Sequence, residues 1–326
     1  MSRLPRAHGW PSVLLVLLLA LAFRLWDLHA AGETLDEPDY AGVGESYIQA
    51  LWRLDLREAA WAGNHEHPPI AKYVYGVAGL LGPEAPLRAG RVASALMGAL
   101  TCLLLVLLGT RLFDRPTGVL AGLILAFLPT VVAHNKVLGL ETPSMLLVTA
   151  TLLAAVAAAE DPRNSRTWLM AGLLAGLAVG VRLNNLLVFL PLIALTGQRY
   201  RATQPPGFWL LPRNLLLLPL ISGIVFVGTW PWLWTRPLPH LLMTLGHWTY
   251  DIREFFLGVY RTPPVSYYAV YFLATTPVGV LLASAAFGLT WKRTPRLAGL
   301  LVLVWLLAPF LWSFTGFKQD GMRYIV

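Results

Sequence analysis

Two short polar strings near the amino terminus decide how this chain of 326 residues is organised. The first is Thr34-Leu35-Asp36-Glu37-Pro38-Asp39-Tyr40, and the second is Asn64-His65-Glu66-His67-Pro68-Pro69-Ile70-Ala71-Lys72. Together they form a segment that is rich in carboxylates and stiffened by prolines, with long apolar runs on both sides. A polar segment in this setting predicts that chemistry takes place at the edge of an apolar layer.

The composition indicates that this apolar layer is a membrane. Hydrophobic residues make up 56% of the chain and charged residues only 13%, with a mean hydropathy of +0.60, which exceeds what a soluble domain needs for its core. The net charge of +8 is spread in short clusters beside apolar segments, a pattern typical of membrane topology rather than of nucleic-acid binding. The single cysteine, Cys102, excludes an intrachain disulfide and a cysteine-based metal site.

Apolar runs that are candidate membrane spans recur along the whole chain. They cover residues 10–26, 88–110, 116–133, 142–159, 168–181, 183–197, 214–232, 267–291 and 297–315. We therefore predict an all-α polytopic membrane protein with about nine transmembrane helices. A cleaved signal peptide is the alternative for the first run, because Arg3 and Arg6 precede it, but its length favours a retained helix.

Clusters of Lys and Arg orient these spans, because short cytoplasmic loops are enriched in them. Placing the clusters inside predicts that residues 27–87, 134–141, 182–185, 233–266 and 316–326 lie outside. The same map makes the runs at 168–181 and 183–197 a helical hairpin rather than one long helix.

The two large outer segments are a first extracytoplasmic loop at residues 27–87 and a second at 233–266. Within the first loop, Ile70–Gly82 is too short to span a bilayer, and we predict that it lies in the membrane interface as a helix. A second interfacial helix is predicted within Glu45–Trp61, where apolar and charged residues alternate irregularly.

Charged residues are absent from the middle of every predicted span and gather at the outer ends. They are Arg24, Arg88, Arg91, Lys136, Glu141, Arg182, Arg261, Lys318 and Arg323. A transporter usually keeps charges or broken helices near the membrane midplane. The distribution therefore predicts one site at the outer interface, and it disfavours the alternative function, a transporter or flippase of lipid-linked sugars.

The acidic pair and the His-Pro-Pro-Ile-Ala-Lys string resemble the first extracytoplasmic loop of the protein O-mannosyltransferase family. The bacterial lipid A aminoarabinose transferases share a looser version of this loop. Both belong to the glycosyltransferase C superfold, which takes sugar from a polyprenyl-phosphate carrier at the outer membrane face. Family members are considerably longer, so the resemblance implies that residues 1–326 are a single transmembrane glycosyltransferase module, truncated at its carboxyl-terminal end.

The resemblance assigns catalysis to the acidic pair. In the mannosyltransferases the aspartate of this pair activates the acceptor, and it matches Asp36, which we predict to be the general base. Glu37 is adjacent and points another way, so it can hold a second catalytic role. The alternative for Asp36 is a helix N-cap or a solvated loop carboxylate.

Five basic residues are candidates for binding the donor phosphate: Arg91, Lys72, Arg88, Lys318 and Arg323. Arg91 leads, because it opens a run that resembles the Arg-Leu-Phe-Ser-Ala run of the mannosyltransferases, where the arginine faces the donor phosphate. Lys318 and Arg323 lie in a segment similar to the Gly-x-Arg-Tyr signature of bacterial relatives. The alternative for Arg91 and Lys72 is an interfacial anchor whose charged end reaches the lipid headgroups.

Three further residues are candidates for contacts with the acceptor or the sugar: Glu66, His67 and Glu141. An acidic residue at the start of a helix, such as Glu141, also suits the helix dipole. Glu66 and His67, with the distant His247, could hold a divalent metal such as zinc. The lipid A transferases use the acidic residue before a Lys-Pro-Pro string near a metal. Because His67 replaces that lysine, the sequence is closer to the mannosyltransferases, and we expect no required cofactor.

The sequence thus predicts a multi-pass membrane glycosyltransferase. It would transfer a sugar, for which mannose is our choice, from a polyprenyl-phosphate donor to an extracytoplasmic hydroxyl on a protein Ser or Thr, a lipid or a polysaccharide. We expect it in the bacterial inner membrane, among membrane lipids, with its site on the extracytoplasmic side and with no nucleic-acid partner.

Overall fold

The computed structural model describes residues 10–28, 32–161, 163–194, 213–247 and 253–313, and these residues are mostly helical. The helices of the amino-terminal part are α1 (Trp10–Leu25), α2 (Glu37–Trp52), α3 (Ile70–Leu81), α4 (Pro86–Leu112), α5 (Arg115–Phe127), α6 (Pro129–His134), α7 (Glu141–Glu160), α8 (Ser165–Val179) and α9 (Leu183–Ala194). A short 3-10 helix at Glu58–Trp61 lies between α2 and α3, and the first half of α9, Leu183–Val188, is also 3-10.

The carboxyl-terminal part contains shorter helices and one hairpin. Its helices are α10 (Leu217–Gly228), α11 (Trp232–Thr235), α12 (Pro237–Gly246), α13 (Tyr267–Thr275), α14 (Val278–Thr290) and α15 (Arg296–Ser313), with 3-10 helices at Arg213–Leu216 and Trp291–Arg293. Strands β1 (Glu254–Phe256) and β2 (Val259–Arg261) pair antiparallel in the second large loop. Their turn places Gly258 at a φ of +83°, a conformation that glycine adopts without steric cost.

Among the described residues, α4 and α7 are the two helices long and apolar enough to cross a membrane. The pair α13 and α14 would make a third span if it is counted as one element, although it bends by 111°. The other apolar helices have 10 to 17 residues. The apolar, helical character is as predicted, but the prediction of about nine transmembrane helices is not confirmed.

Prolines account for two of the shortened spans. Leu128 precedes Pro129, and Thr276 precedes Pro277, and both residues have extended backbones, with ψ of 112° and 128°. The residue before a proline is sterically disfavoured from helical geometry, so each predicted run divides there. The predicted span at 116–133 becomes α5 and α6, and the span at 267–291 becomes α13 and α14.

The break between α8 and α9 agrees with the predicted separation of the runs at 168–181 and 183–197. Arg182 is extended, with φ of −154° and ψ of 134°, and therefore ends any continuous helix across this region. The carbonyl of Gly180, at the same break, accepts the amide hydrogen of Ile70 at 3.0 Å. The first loop is thereby bonded to the outer end of α8.

The first loop contains a helix, α3, whose bounds nearly match the predicted Ile70–Gly82, and its interfacial position stays a prediction. The second prediction, a helix within Glu45–Trp61, has the wrong bounds. Helix α2 begins at Glu37 and ends at Trp52. Pro38 explains this start, because its fixed φ suits the first turn of a helix and its missing N–H would have no partner there.

Helices α2 and α3 touch through their backbones at two glycines. A Cβ on Gly44 would lie 2.3 Å from the carbonyl oxygen of Lys72, and a Cβ on Gly76 would lie 2.2 Å from that of Gly44. Neither position can accept a side chain without separating the helices. The two helices of the first loop therefore pack as one unit.

Helix α4 lies at the centre of the amino-terminal part, in contact with α1, α3, α5 and α7. One apolar core forms where α1, α4 and α5 meet, around Val16, Ala99 and Cys102. Another forms among α7, α8, α9 and α10, around Leu152, Trp168 and Leu218. The amino-terminal end of α4 carries Arg88 and Arg91, so this central helix positions the candidate site.

Candidate functional site

Glu37 and Arg91 form a buried ion pair between the first loop and α4. The Nε and Nη2 atoms of Arg91 donate to the two carboxylate oxygens of Glu37 at 2.8 and 2.7 Å. Arg91 also donates to the carbonyls of Leu28 and Gly32, at 2.9 and 3.1 Å. One guanidinium thus holds the whole start of the first loop against α4.

The carboxylate of Glu37 is fully buried and accepts two further bonds, from the backbone amides of Thr34 at 2.9 Å and Leu138 at 3.0 Å. Burial raises the pKa of Glu37, but the hydrogen bonds from Arg91, Thr34 and Leu138 outweigh it, so the pKa is lowered from its ordinary value. This ionised side chain is placed to anchor the loop. A direct catalytic role for Glu37 stays a prediction.

Asp36 lies one residue earlier and is only partly buried. It occupies the N-cap position of α2, yet its side chain makes no capping hydrogen bond. The capping alternative therefore does not explain this carboxylate. Asp36 differs from Glu37 in exposure, and it is the member of the acidic pair that solvent can reach.

A cavity of about 640 Å³ adjoins this ion pair. Its wall combines the start of the first loop with the outer end of α4, namely Leu28, Gly32, Glu33, Ala85, Pro86, Leu87, Arg88 and Arg91. Arg88 is exposed, whereas Arg91 is 8% exposed. The cavity also lies at the amino terminus of a 27-residue helix, where the helix dipole favours anions. Two of the predicted phosphate-binding residues therefore line one concave site.

The segment between α6 and α7 links the surrounding elements. Arg24 of α1 donates from Nε to Asn135 Oδ1 at 2.8 Å, and Asn135 Nδ2 donates to Thr142 Oγ1 at 2.8 Å. The hydroxyl of Tyr75, on α3, donates to the carbonyl of Gly139 at 2.6 Å. With the bond from Leu138 to Glu37, this segment joins α1, α2 and α3 at the site.

Glu141 and Arg182 form a second buried ion pair. Arg182 Nη2 donates to Glu141 Oε1 at 2.8 Å, and both side chains are buried. Glu141 begins α7, and Arg182 lies at the break between α8 and α9. A second hydrogen bond, of 2.9 Å from Asn185 Nδ2 to Ser144 Oγ, also connects α7 to the region of this break. The predicted contact of Glu141 with acceptor or sugar stays a prediction, and one of its oxygens is committed to Arg182.

Lys72 is fully buried, and its ammonium lies inside the first loop. Nζ donates to the carbonyl of Asn64 and, at 2.7 Å, to that of His67. Burial lowers the pKa of Lys72 to about 7, and the charge of Glu66 partly opposes this. Lys72 is not among the residues that line the cavity. Its predicted phosphate contact stays a prediction.

Glu66 and His67 are partly buried in the turn that precedes α3. Glu66 Oε1 accepts a bond of 2.5 Å from Asn64 Nδ2, and the ring of His67 meets that of Tyr40 edge to face, with centroids 6.5 Å apart. In the parts of the chain that the structure describes, no group of three His, Cys, Asp or Glu is close enough to hold a metal. The predicted ligands Glu66, His67 and His247 therefore do not form such a group.

The second large loop packs on the first through aromatic rings and hydrogen bonds. The ring of His65 in the first loop lies 5.1 Å from that of Trp232, which stacks on His240, and His240 Nε2 lies 3.4 Å from Glu58 Oε1. Thr244 Oγ1 donates to the carbonyl of His65 at 3.0 Å. Lys318 and Arg323 lie outside the described residues, so their predicted roles have no structural account.

Arg24 and Arg182 were predicted to lie at the outer ends of spans, but the sequence indicated no partner for either residue. Tyr75 and Asn135 carried no signal that marked them as part of the site. The partners of Arg24 and Arg182 are 111 and 41 residues away along the chain. A charged side chain at the end of an apolar helix signals that a buried partner is needed. Hydropathy does not identify that partner.

Residues 66–234, just over half of the chain, match the family of dolichyl-phosphate-mannose-protein mannosyltransferases. The chain belongs to this family. The match begins at Glu66 and therefore includes α3, α4 and the segment between α6 and α7. No curated protein sequence matches the chain significantly.

This mannosyltransferase-family chain also resembles solved structures of the glycosyltransferase C fold. Cupriavidus metallidurans ArnT bound to undecaprenyl phosphate has 18% sequence identity and a TM-score of 0.68, covering 98% of this chain and 58% of that protein. The S. cerevisiae Pmt1-Pmt2 protein O-mannosyltransferase complex bound to its sugar donor has 17% identity and a TM-score of 0.51, covering 75% and 34%. An Archaeoglobus fulgidus oligosaccharyltransferase in complex with Zn and sulfate has 16% identity and a TM-score of 0.57, covering 96% and 47%.

These similarities establish the fold of a membrane glycosyltransferase. The chain spans between about a third and three fifths of the length of the solved proteins it resembles. The match to ArnT is the longer and the better superposed of the first two, whereas the family match is to the mannosyltransferases.

Proposed function

We propose that this chain forms the donor-binding and catalytic part of a membrane glycosyltransferase that uses a polyprenyl-phosphate sugar, with mannose as the preferred sugar. The observation that supports this proposal is the cavity lined by Arg88 and Arg91, because it combines cations for a phosphate with apolar walls for a lipid chain. Arg91 also bonds to Glu37, and the solvent-accessible carboxylate of Asp36 is one residue earlier in the sequence.

Asp36 is the general base in this proposal. It takes the proton of the acceptor hydroxyl while the acceptor oxygen bonds to the anomeric carbon. The bond from that carbon to the phosphate oxygen breaks, and polyprenyl phosphate departs with the electron pair. A single in-line displacement of this kind inverts the anomeric configuration. The acceptor hydroxyl belongs to a protein Ser or Thr, a lipid or a polysaccharide.

Arg88 makes the first contact with the donor phosphate, because its side chain is exposed at the cavity whereas that of Arg91 is held by Glu37. Arg91 adds charge from the cavity wall, and its bonds to Glu37 fix the direction of the guanidinium. Lys318 and Arg323 are further phosphate ligands in the proposal. Glu66, His67 and Glu141 contact the acceptor or the sugar. The active site faces the extracytoplasmic side of a bacterial inner membrane.

The base is tested by replacing Asp36 with Asn and supplying labelled polyprenyl-phosphate mannose with a set of hydroxyl acceptors to the full-length protein in membranes. We expect transfer to fall at least a hundredfold, the lower range for loss of a general base. Asp39→Asn is the matched control, because Asp39 is exposed on the same first turn of α2 and should be dispensable. Near-normal turnover by Asp36→Asn would remove Asp36 from this role.

The phosphate contact is tested at Arg88, which can be replaced without disturbing the buried ion pair. Because negative charge grows on the phosphate as it leaves, we expect Arg88→Ala to lower kcat about tenfold or more. Arg88→Lys should recover only part of this loss, since an ammonium lacks the planar fork that matches phosphate oxygens. Full activity in the Lys variant would indicate an interfacial anchor.

The same assay separates the enzyme from the alternative, a transporter of lipid-linked sugars. Release of free polyprenyl phosphate together with a glycosylated product supports the transferase. Movement of intact donor across sealed vesicles without cleavage of the sugar bond would contradict it.

A further inference from the structure

Lys72 is a buried cation that the proposed reaction does not use. Its side chain is 0% exposed, although an ammonium group loses strong hydration when it leaves water. Such a group persists in a folded protein when hydrogen bonds and nearby charges offset this loss. The surroundings of the ammonium therefore indicate what it does.

The ammonium is enclosed by the turn that precedes α3. It donates to the carbonyls of Asn64 and His67, which lie on either side of Glu66 in the sequence. On its other side, the ring of Tyr47 on α2 lies with its centroid 5.6 Å from Nζ, within the range of a cation–π contact. One side chain thus fixes two points of a four-residue turn.

The turn itself has an unusual backbone. Asn64 has a φ of +46°, a region that few residues other than glycine adopt and that asparagine tolerates best. The side chain of Asn64 donates a hydrogen bond to Glu66, and its backbone carbonyl accepts a hydrogen bond from the ammonium of Lys72. This conformation directs the carbonyls of Asn64 and His67 toward one point, and the cation at that point stabilises it.

The backbone of α3 around Lys72 is held in place by two contacts. The backbone carbonyl of Lys72 meets Gly44 so closely that a Cβ there would lie 2.3 Å away, and Ile70 is bonded to Gly180 at 3.0 Å. The helix therefore cannot shift to follow the turn. The ammonium transmits the fixed position of α3 to Glu66 and His67.

We propose that Lys72 is a positioning residue, whose ammonium holds the Asn64–His67 turn so that Glu66 and His67 meet the acceptor or the sugar in the required geometry. This inference rests on the proposed function for its catalytic effect. The positioning of the turn can be measured without any substrate.

The catalytic effect is tested with Lys72→Met in the full-length protein, with Lys136→Met as the matched control. Like Lys72, Lys136 is a lysine that donates to backbone, in this case to one carbonyl, that of Trp26, at 2.7 Å. Lys136 lies outside the first loop. We expect Lys72→Met to lower kcat at least tenfold with the donor KM changed less than twofold, and Lys72→Arg to recover part of kcat. A tenfold rise in donor KM at unchanged kcat would identify Lys72 as a phosphate ligand and overturn the inference.

The position of the turn is tested with a cysteine at the exposed Gly63 in a Cys102→Ser background, labelled by an impermeant maleimide. We expect Lys72→Met to raise the labelling rate at least fivefold and Lys136→Met to change it less than twofold. If Lys72→Met does not fold, Lys72→Gln serves as the second variant, because its shorter, uncharged side chain removes the ammonium that bonds to the carbonyls of Asn64 and His67 while retaining a polar group, and we expect the same rise in labelling.

The two readouts also separate the two proposals. A wild-type protein without transferase activity would refute the proposed function, whereas the labelling rates would still report on Lys72. Unchanged labelling in Lys72→Met, or in Lys72→Gln where the first variant does not fold, would overturn the positioning role.

Discussion

The Glu37–Arg91 and Glu141–Arg182 ion pairs are both buried, but they are built differently. Glu37 receives two bonds from Arg91 and two from backbone amides, so its carboxylate is surrounded by donors from the first loop, α4 and the segment before α7. Arg182 Nη2 donates to Glu141 Oε1 at 2.8 Å. The first pair is a junction of three chain segments, and the second connects the start of α7 to the break after α8.

This difference matters because a buried ion pair is by itself weak evidence for stability. Desolvation of the two charges offsets much of their attraction, whereas removal of one partner leaves the other charge buried without compensation. The number of groups that lose a partner should therefore decide the effect of a substitution.

Glu37→Gln should have the largest effect on stability. It removes the charge opposite Arg91 and turns one acceptor of the cluster into a donor, so we expect a loss of about 3–5 kcal/mol in unfolding free energy. Thermal unfolding of the full-length protein in detergent measures it. The double variant Glu37→Met with Arg91→Met should recover part of the loss, because no charge is left uncompensated. Wild-type stability in Glu37→Gln would contradict the junction role.

Glu141→Gln should destabilise less, by about 1.5–3 kcal/mol, because a bond to a charged group is lost at a pair that joins two chain segments and not three. Its measurement is the same unfolding experiment, so the two values can be compared directly. Arg182→Met gives the reverse truncation and should fall in the same range. A loss for Glu141→Gln larger than that for Glu37→Gln would mean that the number of bonds does not set the order.

Lys72 extends the comparison to a buried cation held by carbonyl oxygens. Because burial lowers its pKa from 10.5 to about 7, the unfolded state binds more protons than the folded state between these values. Stability from this group therefore rises with pH above about 7, by at most about 1.4 kcal/mol per pH unit. Unfolding of wild type and Lys72→Met between pH 7 and 9 measures the difference. Parallel pH profiles for the two proteins would contradict the lowered pKa.

The exposed pair Asp55–Arg57 should have the smallest effect. Its atoms are only 2.5 Å apart, closer than in either buried pair, and Arg57 holds the pKa of Asp55 down to about 2. Water and salt screen an exposed pair, so Arg57→Ala should leave thermal unfolding unchanged within error. A loss comparable with that of Glu141→Gln would show that distance, and not burial, determines the effect.

The sequence predicted the helical class and the bounds of α3, because hydropathy reports on the length of each apolar run. It did not predict where the runs at 116–133 and 267–291 break. Pro129 and Pro277 were visible there, but a proline within an apolar run can either kink a helix or end it. The choice depends on neighbouring helices, which hydropathy does not describe.

The sequence also selected Glu37 and Arg91 as candidates, and the structure brings these two residues together. It could not identify their partners. Whether Glu37 faces substrate or Arg91 depends on contacts 54 residues apart, which are set by the packing of α2 on α4. Residue type and spacing give the available chemistry, and the tertiary contacts decide which groups are already bonded to each other.

The contact between Gly44 and Gly76 has a consequence for how substrates arrive. Helices α2 and α3 touch backbone to backbone, and α3 is also bonded to the end of α8, so the two helices form one rigid unit. We expect that this unit does not swing open to admit substrate. Under the proposed function, we therefore expect a lipid-borne sugar to enter the cavity from the side, past Leu28, Pro86 and Leu87, in a direction parallel to the bilayer.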